Sequence, residues 1–440
     1  MVTGKTLTTE RILSTQLAGH VGQRVRLEGW LHNLRDMGEI NFLLLRDRAG
    51  LAQAVLSPDD LKPLDGLKVE TVLALEGVVV ATPQAPGGHE LHDVRIDVLA
   101  PVTEVLPFEL NKHRVTAGQA AFLDHAVIGH RHPNRRAILR IASGVMAAFR
   151  NALTARDFTE IQTPKLVASA TESGANVFAV EYFGQTAYLA QSPQFYKQIM
   201  VGVFERVFEV GPVFRAEPHS TPRHINEYVS LDAEFGFIKD HFDVMAVVTE
   251  VVRGILDHLR VHHAADLDLL EAALPALPAT IPHLYYPDAH DLLLARFGIE
   301  AHGEPDLAPE HERALGRWAR DEHGSDFLFV TGYPMAKRPF YTHPDPNDPT
   351  YSNSFDLLFR GAELVTGGQR LHRYADYVAA ARRDGLKPEA VESYLEAFRY
   401  GMPPHGGFAV GLERFVMQLL DIDNIRLATL FPRDMTRLAP

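Results

Sequence analysis

Between Val25 and Leu99 apolar and polar residues alternate in short runs: Val25, Leu27, Gly29 and Leu31 share one face, and residues 40–45, 51–56, 72–80 and 94–99 follow. A period of two marks strands, and Asp47-Arg48-Ala49-Gly50 supplies turn chemistry between two of the runs. Five short strands predict a small β-barrel, of which the five-stranded OB-fold is a common form; the alternation alone leaves a β-sandwich open. The period then changes. Ile138, Ile141, Val145, Ala148, Phe149, Ala152 and Leu153 recur at helical spacing, and the helix must end before residues 158–164, which read as a strand stopped by Pro164. Residues 205–237 alternate again around a polar loop at 217–226, predicting two antiparallel strands. Residues 240–294 predict Ala/Leu-rich helix with a Pro-rich break at 275–287. The pattern divides the chain into a barrel (1–104), a hinge (105–130) and a large α+β domain (131–440).

The composition changes this picture little: 440 residues, 46% hydrophobic and 22% charged, describe an ordinary globular protein of two or three domains. The absence of cysteine excludes disulfides and thiolate metal sites, so any metal must sit on oxygen or imidazole. A net charge of −13 offers no general field for a polyanion, which would have to be met locally. Residues 111–140 supply such a place, with six Lys and Arg, one acid and four histidines. A hinge facing a polyanion and a solvated linker both fit that segment. Residues 1–20 lack the apolar core of an export signal, and no run reaches the ~18 to 20 apolar residues of a membrane helix, so a cytoplasmic protein without membrane association is expected.

Three separated segments carry chemistry. Gly211-Pro212-Val213-Phe214-Arg215-Ala216-Glu217 places an arginine and a carboxylate on one side of a strand. Gly406-Gly407-Phe408-Ala409-Val410-Gly411-Leu412-Glu413-Arg414 is a Gly-rich strand entering a helix, with an arginine in its first turn. Gln191-Ser192-Pro193-Gln194-Phe195-Tyr196-Lys197-Gln198 places Gln194 and Lys197 three apart on a helix, where they project together. Singly, these have ordinary readings: a surface ion pair, a turn, an exposed helical turn. The helix–strand–Pro164 element followed by the first two of these segments resembles motifs 1, 2 and 3 of the class II aminoacyl-tRNA synthetases, at about 136–164, 205–237 and 405–420. Gly29-Trp30-Leu31-His32, Arg35-Asp36, Gly38 and residues 42–50 resemble the anticodon-binding OB domain of subclass IIb, and the 191–198 segment resembles the signature of the aspartyl-tRNA synthetase family. The short span from 239 to 337 and the little that follows motif 3 resemble the compact archaeal and eukaryotic-type branch.

The resemblance implies an α+β protein: an N-terminal five-stranded OB-fold barrel plus a catalytic domain built on an antiparallel sheet flanked by helices. It implies ATP-dependent activation of L-aspartate and transfer to tRNA(Asp), by a homodimer joined through motif 1. Arg215 would bridge the α-phosphate and the attacking carboxylate, Glu217 and Tyr228 would hold adenine, and Arg414 would take the γ-phosphate. Arg223 and His224 belong to the motif 2 loop, near ATP and the acceptor end of tRNA, where a merely solvated loop is the alternative. Asp232 and Glu172, the latter in a loop that closes over the substrate, would accept from the aspartate ammonium. Gln194, Lys197 and Arg370 would reach aspartate, and two cations around one carboxylate favour aspartate over asparagine. Glu363 and Thr366, a threonine where the family has serine, match the ligands of Mg2+. His405 either faces the pocket or packs the turn.

In the barrel, Arg35, Phe42 and Gln53 match the family's anticodon contacts, although a phenylalanine there is otherwise core. Residues 1–105 carry a net charge of −4, so this domain would bind by stacking and shape. His32 and Pro86 resemble members that charge both tRNA(Asp) and tRNA(Asn); the alternative is that both are neutral loop substitutions in an enzyme that discriminates. Rival readings are an asparaginyl-tRNA synthetase, an RNA-binding paralogue without catalysis, and an amide ligase that uses no tRNA. Lys197 counts against the first, the full set Arg215, Glu217, Glu363, Arg370 and Arg414 against the second, and the attached barrel against the third. The 138–153 stripe is expected either to join two subunits or to pack only within its own domain.

Overall fold

Alternation in the N-terminal strands closes a barrel. Strands β1 (Arg24–Asp36), β2 (Asn41–Arg46), β3 (Leu51–Leu56), β4 (Val72–Ala81) and β5 (His89–Ala100) join in the order β1-β2-β3-β5-β4. Every pair is antiparallel except β3 with β5. Leu27, Leu31, Leu43, Leu45, Ala54, Leu73, Leu75 and Leu91 fill the interior. Closure leaves no free edge, so the barrel stands where a sandwich was also open. The computed structural model describes residues 10–37, 40–168 and 176–439, and the chain forms two compact units that meet between His132 and Pro133.

One irregularity sets the outer face of the barrel. Leu31 pairs with Leu45 but Asn33 with Leu44, so His32 is an extra residue bulged out of β1. The bulge reverses the alternation: Leu34 packs on the core, while Arg35 is exposed opposite Phe42. At the strand ends a buried ion pair ties the barrel together. Both guanidinium nitrogens of Arg46 meet the Glu70 carboxylate, at 2.6 and 2.8 Å, and Arg131 approaches the same carboxylate at 3.3 Å.

After short helices α1 (Gln119–Asp124) and α2 (Ala126–Gly129) the second unit begins with α3 (Pro133–Thr154). The elements that follow are β6 (Thr159–Glu160), β7 (Leu166–Val167), β8 (Ala179–Tyr182), β9 (Gln185–Leu189), α4 (Gln194–Phe204), β10 (Arg206–Phe214) and β11 (Glu227–Gly236). Then come α5 (His241–His262), α6 (Ala264–Leu269), β12 (His283–Tyr285), α7 (Tyr286–Phe297), α8 (Pro309–His323), β13 (Phe327–Thr331), β14 (Ser354–Phe359) and β15 (Ala362–Gln369). The chain closes with α9 (Tyr374–Arg383), α10 (Glu392–Arg399), β16 (His405–Gly411) and α11 (Leu412–Leu419). Eight strands form one sheet in the order β12-β13-β14-β15-β16-β11-β10-β6. Its six central strands are antiparallel as expected, but β12 and β6 run parallel to their neighbours, so the sheet is mixed at both edges. Ile141, Val145 and Phe149 of α3, with Val248, Val252 and Ile255 of α5, pack on the apolar face formed by Phe208, Leu231, Phe355 and Phe408.

Several expectations change here. The 138–153 stripe lies in this internal core, so of its two readings, packing within its own domain holds and that face is not available to a second subunit. The Pro-rich break after α6 ends earlier than expected, because Pro287 stands in the first turn of α7, where a proline without an N–H starts a helix rather than breaking it. Three cations of the basic segment have partners within the protein: Arg131 with Glu70, Arg140 with Asp266 at 2.9 Å, and buried Arg135 with the carbonyl of Leu427.

Glu70→Gln strands the Arg46 guanidinium in the barrel without its counter-charge. We expect a loss of about 3 kcal/mol or more, read as an earlier urea transition in the fluorescence of Trp30, whose ring lies 5.7 Å from that guanidinium. The double variant Arg46→Met/Glu70→Met should recover most of it; an unchanged midpoint in the single variant refutes the role given to the pair.

Candidate active site

The face of the sheet turned away from α3 and α5 carries a cavity of about 400 Å3. Strand β11 explains its chemistry. Its alternate residues Leu231, Ala233 and Phe235 enter the core, which leaves Tyr228, Ser230, Asp232 and Glu234 on the opposite face. Across the register Glu234 faces Gly407, where any Cβ would collide with the Glu234 carboxylate. Glycine at 407 therefore makes room for a buried charge.

At this end two cations meet two carboxylates. Lys197 Nζ, from the first turn of α4, donates to Asp232 at 2.9 Å and to the carbonyl of Phe408 at 3.3 Å, and lies 3.4 Å from Glu234. Arg370 donates to Glu234 at 3.0 Å and to the carbonyl of Gly407 at 3.1 Å, and Ser230 donates to Asp232. All four charged groups are buried. Burial alone would raise the Glu234 carboxyl, but Arg370 and Lys197 hold it below the usual carboxylate range. Gln194, also buried, donates to Gln198 at 2.9 Å. Glu234 escaped the sequence reading, although its place two residues beyond Asp232 on a strand could have found it.

The middle of the cavity holds Arg215 and Glu217, and here the sequence expectation needs correction. They do not share a strand, because β10 stops at Phe214. Asn226 holds them instead: its side-chain amide donates to the carbonyls of Arg215, at 2.7 Å, and Glu217, at 3.3 Å, while its own carbonyl accepts from the Arg215 N–H at 2.8 Å. The Arg215 guanidinium lies 5.7 Å from the centre of the Tyr228 ring, and Glu217 lies 3.5 Å from His224. Burial lowers the His224 pKa, helped by Arg414, His219 and Arg223 and opposed by Glu217.

At the far end β15 is bulged: Leu357 pairs with Val365 but Leu358 with Glu363, so Leu364 is an extra residue. Positions three apart fall on opposite faces of a regular strand. The bulge puts Glu363 and Thr366 on one face, with the threonine hydroxyl 3.2 Å from the carboxylate. Arg414, in the first turn of α11, approaches Glu363 at 3.4 Å. Two further carboxylates lie close by. Burial, with Glu363 adding to it, pushes Asp356 up to about 6 and Glu312 up to about 7, while Arg338 opposes the shift at Asp356 and Arg223 at Glu312.

Arg215, Glu217, Arg223, His224, Tyr228, Gln194, Lys197, Asp232, Arg370, Glu363, Thr366 and Arg414 thus line one cavity, whereas Glu172 and Gly38 lie outside the described residues. His405 does not line it; it is fully buried behind Gln198. In the first unit Arg35 and Phe42 face each other across β1 and β2, and Gln53 faces Leu44 on the next strand. Phe42 is half-buried and stays outside the barrel core, on the outer face with Arg35. Gln53 donates to Glu90 at 2.8 Å; burial opposes ionisation of Glu90, but hydrogen bonds from His92, Gln53 and Thr82 hold its pKa down. His32 is buried at the bulge rather than displayed, and Pro86 is half-buried in the turn before β5.

The family described as "tRNA synthetases class II (D, K and N)" matches residues 119–435, and the "OB-fold nucleic acid binding domain" matches residues 25–99. The chain belongs to these class II synthetases. An aspartate–tRNA(Asp/Asn) ligase of Deinococcus radiodurans is 47% identical over 98% of this chain and 99% of its own length. An aspartate–tRNA(Asp) ligase of Thermococcus kodakarensis is 41% identical over 95% and 97%. Among solved structures, an asparaginyl-tRNA synthetase of Pyrococcus horikoshii, complexed with asparaginyl-adenylate, superposes with a TM-score of 0.92 at 32% identity, over 98% of this chain and 100% of that one.

In this class II site Glu413 gives a pH test. It is buried beside Arg414, its carboxylate accepts the Val229 N–H at 3.1 Å, and burial pushes its pKa up to about 7. The folded state keeps a proton that the unfolded chain releases near pH 4.5, so this stabilisation is complete below that pH and is lost as pH rises to about 7. The loss is at most about 3 kcal/mol. Melting temperatures from pH 4.5 to 8 should fall less in Glu413→Gln than in the wild type; equal slopes refute the assignment.

Proposed function

We propose that the chain is an aspartate–tRNA ligase that activates L-aspartate with ATP as aspartyl-adenylate and transfers it to tRNA(Asp) and tRNA(Asn). The observation that carries this reading is the pair of buried cations, Lys197 and Arg370, at one end of the cavity. A carboxylate side chain entering there meets charge-assisted donors from both. The neutral amide of asparagine leaves that charge unanswered, a mismatch worth about 10^4 in selectivity in buried sites. The name of the D. radiodurans relative supports the same substrate.

In this reading the aspartate ammonium sits against Asp232 and Gln194, with Glu172 closing over it, and the α-carboxylate points along the cavity to Arg215. One carboxylate oxygen attacks the α-phosphorus, pyrophosphate leaves, and no proton moves. Arg215 spans the attacking carboxylate and the α-phosphate, Arg414 takes the γ-phosphate, and Tyr228 and Glu217 hold adenine. The protein contributes alignment and fixed positive charge where negative charge develops. The terminal hydroxyl of the tRNA then attacks the acyl carbon of the mixed anhydride, and AMP leaves; Arg223 and His224 lie where the acceptor end would enter.

A magnesium ion fits the far end. Glu363 and Thr366 offer two hard oxygen ligands on one face, and burial with Glu363 raises the neighbouring Asp356 and Glu312 carboxyls, a shift that a divalent cation would oppose. Among the described residues no three acidic or histidine side chains form a metal cage, so phosphate and water oxygens would complete the shell. Bound there, the ion would neutralise charge on the phosphates. The outer barrel face with Arg35, Phe42 and Gln53 suits stacking of anticodon bases, with His32 and Pro86 in place of groups that would prefer one third base. Among the described residues no helix is long and apolar enough to cross a membrane; we place the enzyme in the cytoplasm as a homodimer that meets its mate through the outward side of α3, where Ser143 and Asn151 are exposed. Sedimentation as a monomer would remove the dimer.

Aspartate-dependent pyrophosphate exchange with magnesium should fall ~10²-fold or more in Arg215→Ala and in Arg414→Ala, since each removes a donor to a phosphate oxygen. Near-normal exchange in either, or equal exchange with asparagine, sinks the reading. Both purified tRNAs should be aspartylated, and a preference for tRNA(Asp) beyond ~100-fold in kcat/KM would refute the relaxed specificity.

A further inference from the structure

Behind the amino-acid end of the cavity lies a closed polar network. Gln198 is fully buried, one helical turn beyond Gln194, and its amide is saturated. Its oxygen accepts from Gln194 Nε2 and from the Tyr394 hydroxyl, each at 2.9 Å. Its nitrogen donates to the Tyr377 hydroxyl and to Nε2 of His405, each at 2.9 Å. Two donors and two acceptors are all that an amide has. The surroundings are rigid: Phe195 stacks on Tyr394 at 4.2 Å, and His405 stacks on Phe398 at 6.0 Å.

One atom gives the network its direction. His405 Nδ1 lies 2.9 Å from the carbonyl of Pro403, which can only accept, so Nδ1 carries the hydrogen. Nε2 of the neutral ring is then a bare lone pair and must receive an N–H from Gln198. That turns the Gln198 oxygen toward Gln194, which must answer with an N–H. The carbonyl oxygen of Gln194, a residue of the cavity wall, is left for the substrate. Burial holds the His405 pKa down to about 4, so the ring stays neutral at working pH.

We infer that Gln198, oriented by His405, Tyr377 and Tyr394, is a positioning residue that fixes Gln194 with its oxygen presented to the ammonium of the bound amino acid. This rests on the proposed aspartate reading and extends it to residues that touch no substrate. The opposite orientation would offer an N–H to a cation. The polarity is thus relayed from a main-chain carbonyl through three side chains to the pocket.

Gln198→Met keeps the volume and removes all four hydrogen bonds. In pyrophosphate exchange we expect KM for aspartate to rise about 10-fold or more, with KM for ATP within 2-fold of wild type and the preference for aspartate over asparagine, set by Lys197 and Arg370, retained. His405→Leu should show the same split, and His405→Asn, which keeps an acceptor, should recover part of it. An unchanged KM for aspartate in folded Gln198→Met or His405→Leu overturns the inference. A wild type without aspartate-dependent exchange instead overturns the functional reading. Nitrogen-15 histidine spectra of the unmutated protein give an answer that needs no variant to fold: His405 must be the Nδ1–H tautomer, and an Nε2–H signal overturns the inference by itself.

Discussion

The second unit is organised around the burial of two positive charges. Lys197 and Arg370 sit in a protein interior, where an isolated charge is prohibitively costly, and each is kept there by a carboxylate and a main-chain carbonyl. Neighbouring features follow from that. Asp232 and Glu234 must occupy alternate positions on one strand so that both face the cations, and the strand beside them must carry glycine at 407 so that Glu234 fits. Helix α4 must start close enough for a lysine stem to reach the sheet, which places Gln194 in the same turn. The apolar face of the sheet, under α3 and α5, holds these positions still.

The gathering of the motif residues in one cavity was legible in the sequence because their residue types are few and occur in a fixed order. The barrel was legible because alternation is a local signal. What stayed hidden depends on partners far away in the chain. Glu363 and Thr366 share a face only because Leu364 is bulged, and nothing in a single strand reveals a bulge. Arg215 and Glu217 were placed by the right spacing for the wrong reason: Asn226, on the return of the loop, holds them beyond the strand end. The 138–153 stripe looks the same whether it meets a sheet of its own chain or a second subunit, and only the fold decides. The internal partners of the basic segment are hidden for the same reason, since the acids that answer Arg131 and Arg140 lie at Glu70 and Asp266.

His32 illustrates the difference between recognising a position and knowing its environment. The resemblance placed it near an anticodon base, yet its ring is buried at the β1 bulge, where burial and then Arg46 lower its pKa while Glu70 opposes them. There it is the extra residue of the bulge that sets Arg35 opposite Phe42. The outer face can remain a stacking surface on a domain of net charge −4 because stacking does not require a basic field.

The two ends of the cavity hold buried charge in different ways. At the end proposed for the amino acid, Lys197 and Arg370 are fixed by Asp232, Glu234 and main-chain carbonyls, so their donors are in place before a ligand arrives. At the other end burial, with Glu363 adding to it, raises the Asp356 and Glu312 carboxyls against the pull of Arg338 and Arg223. In the proposed reading a divalent cation at Glu363 and Thr366 would favour the ionised form of these carboxylates, whereas the preset pairs at the first end need no such ion. In that reading Arg215, between the two ends on one sheet, would join the carboxylate held at one end to the phosphate held at the other.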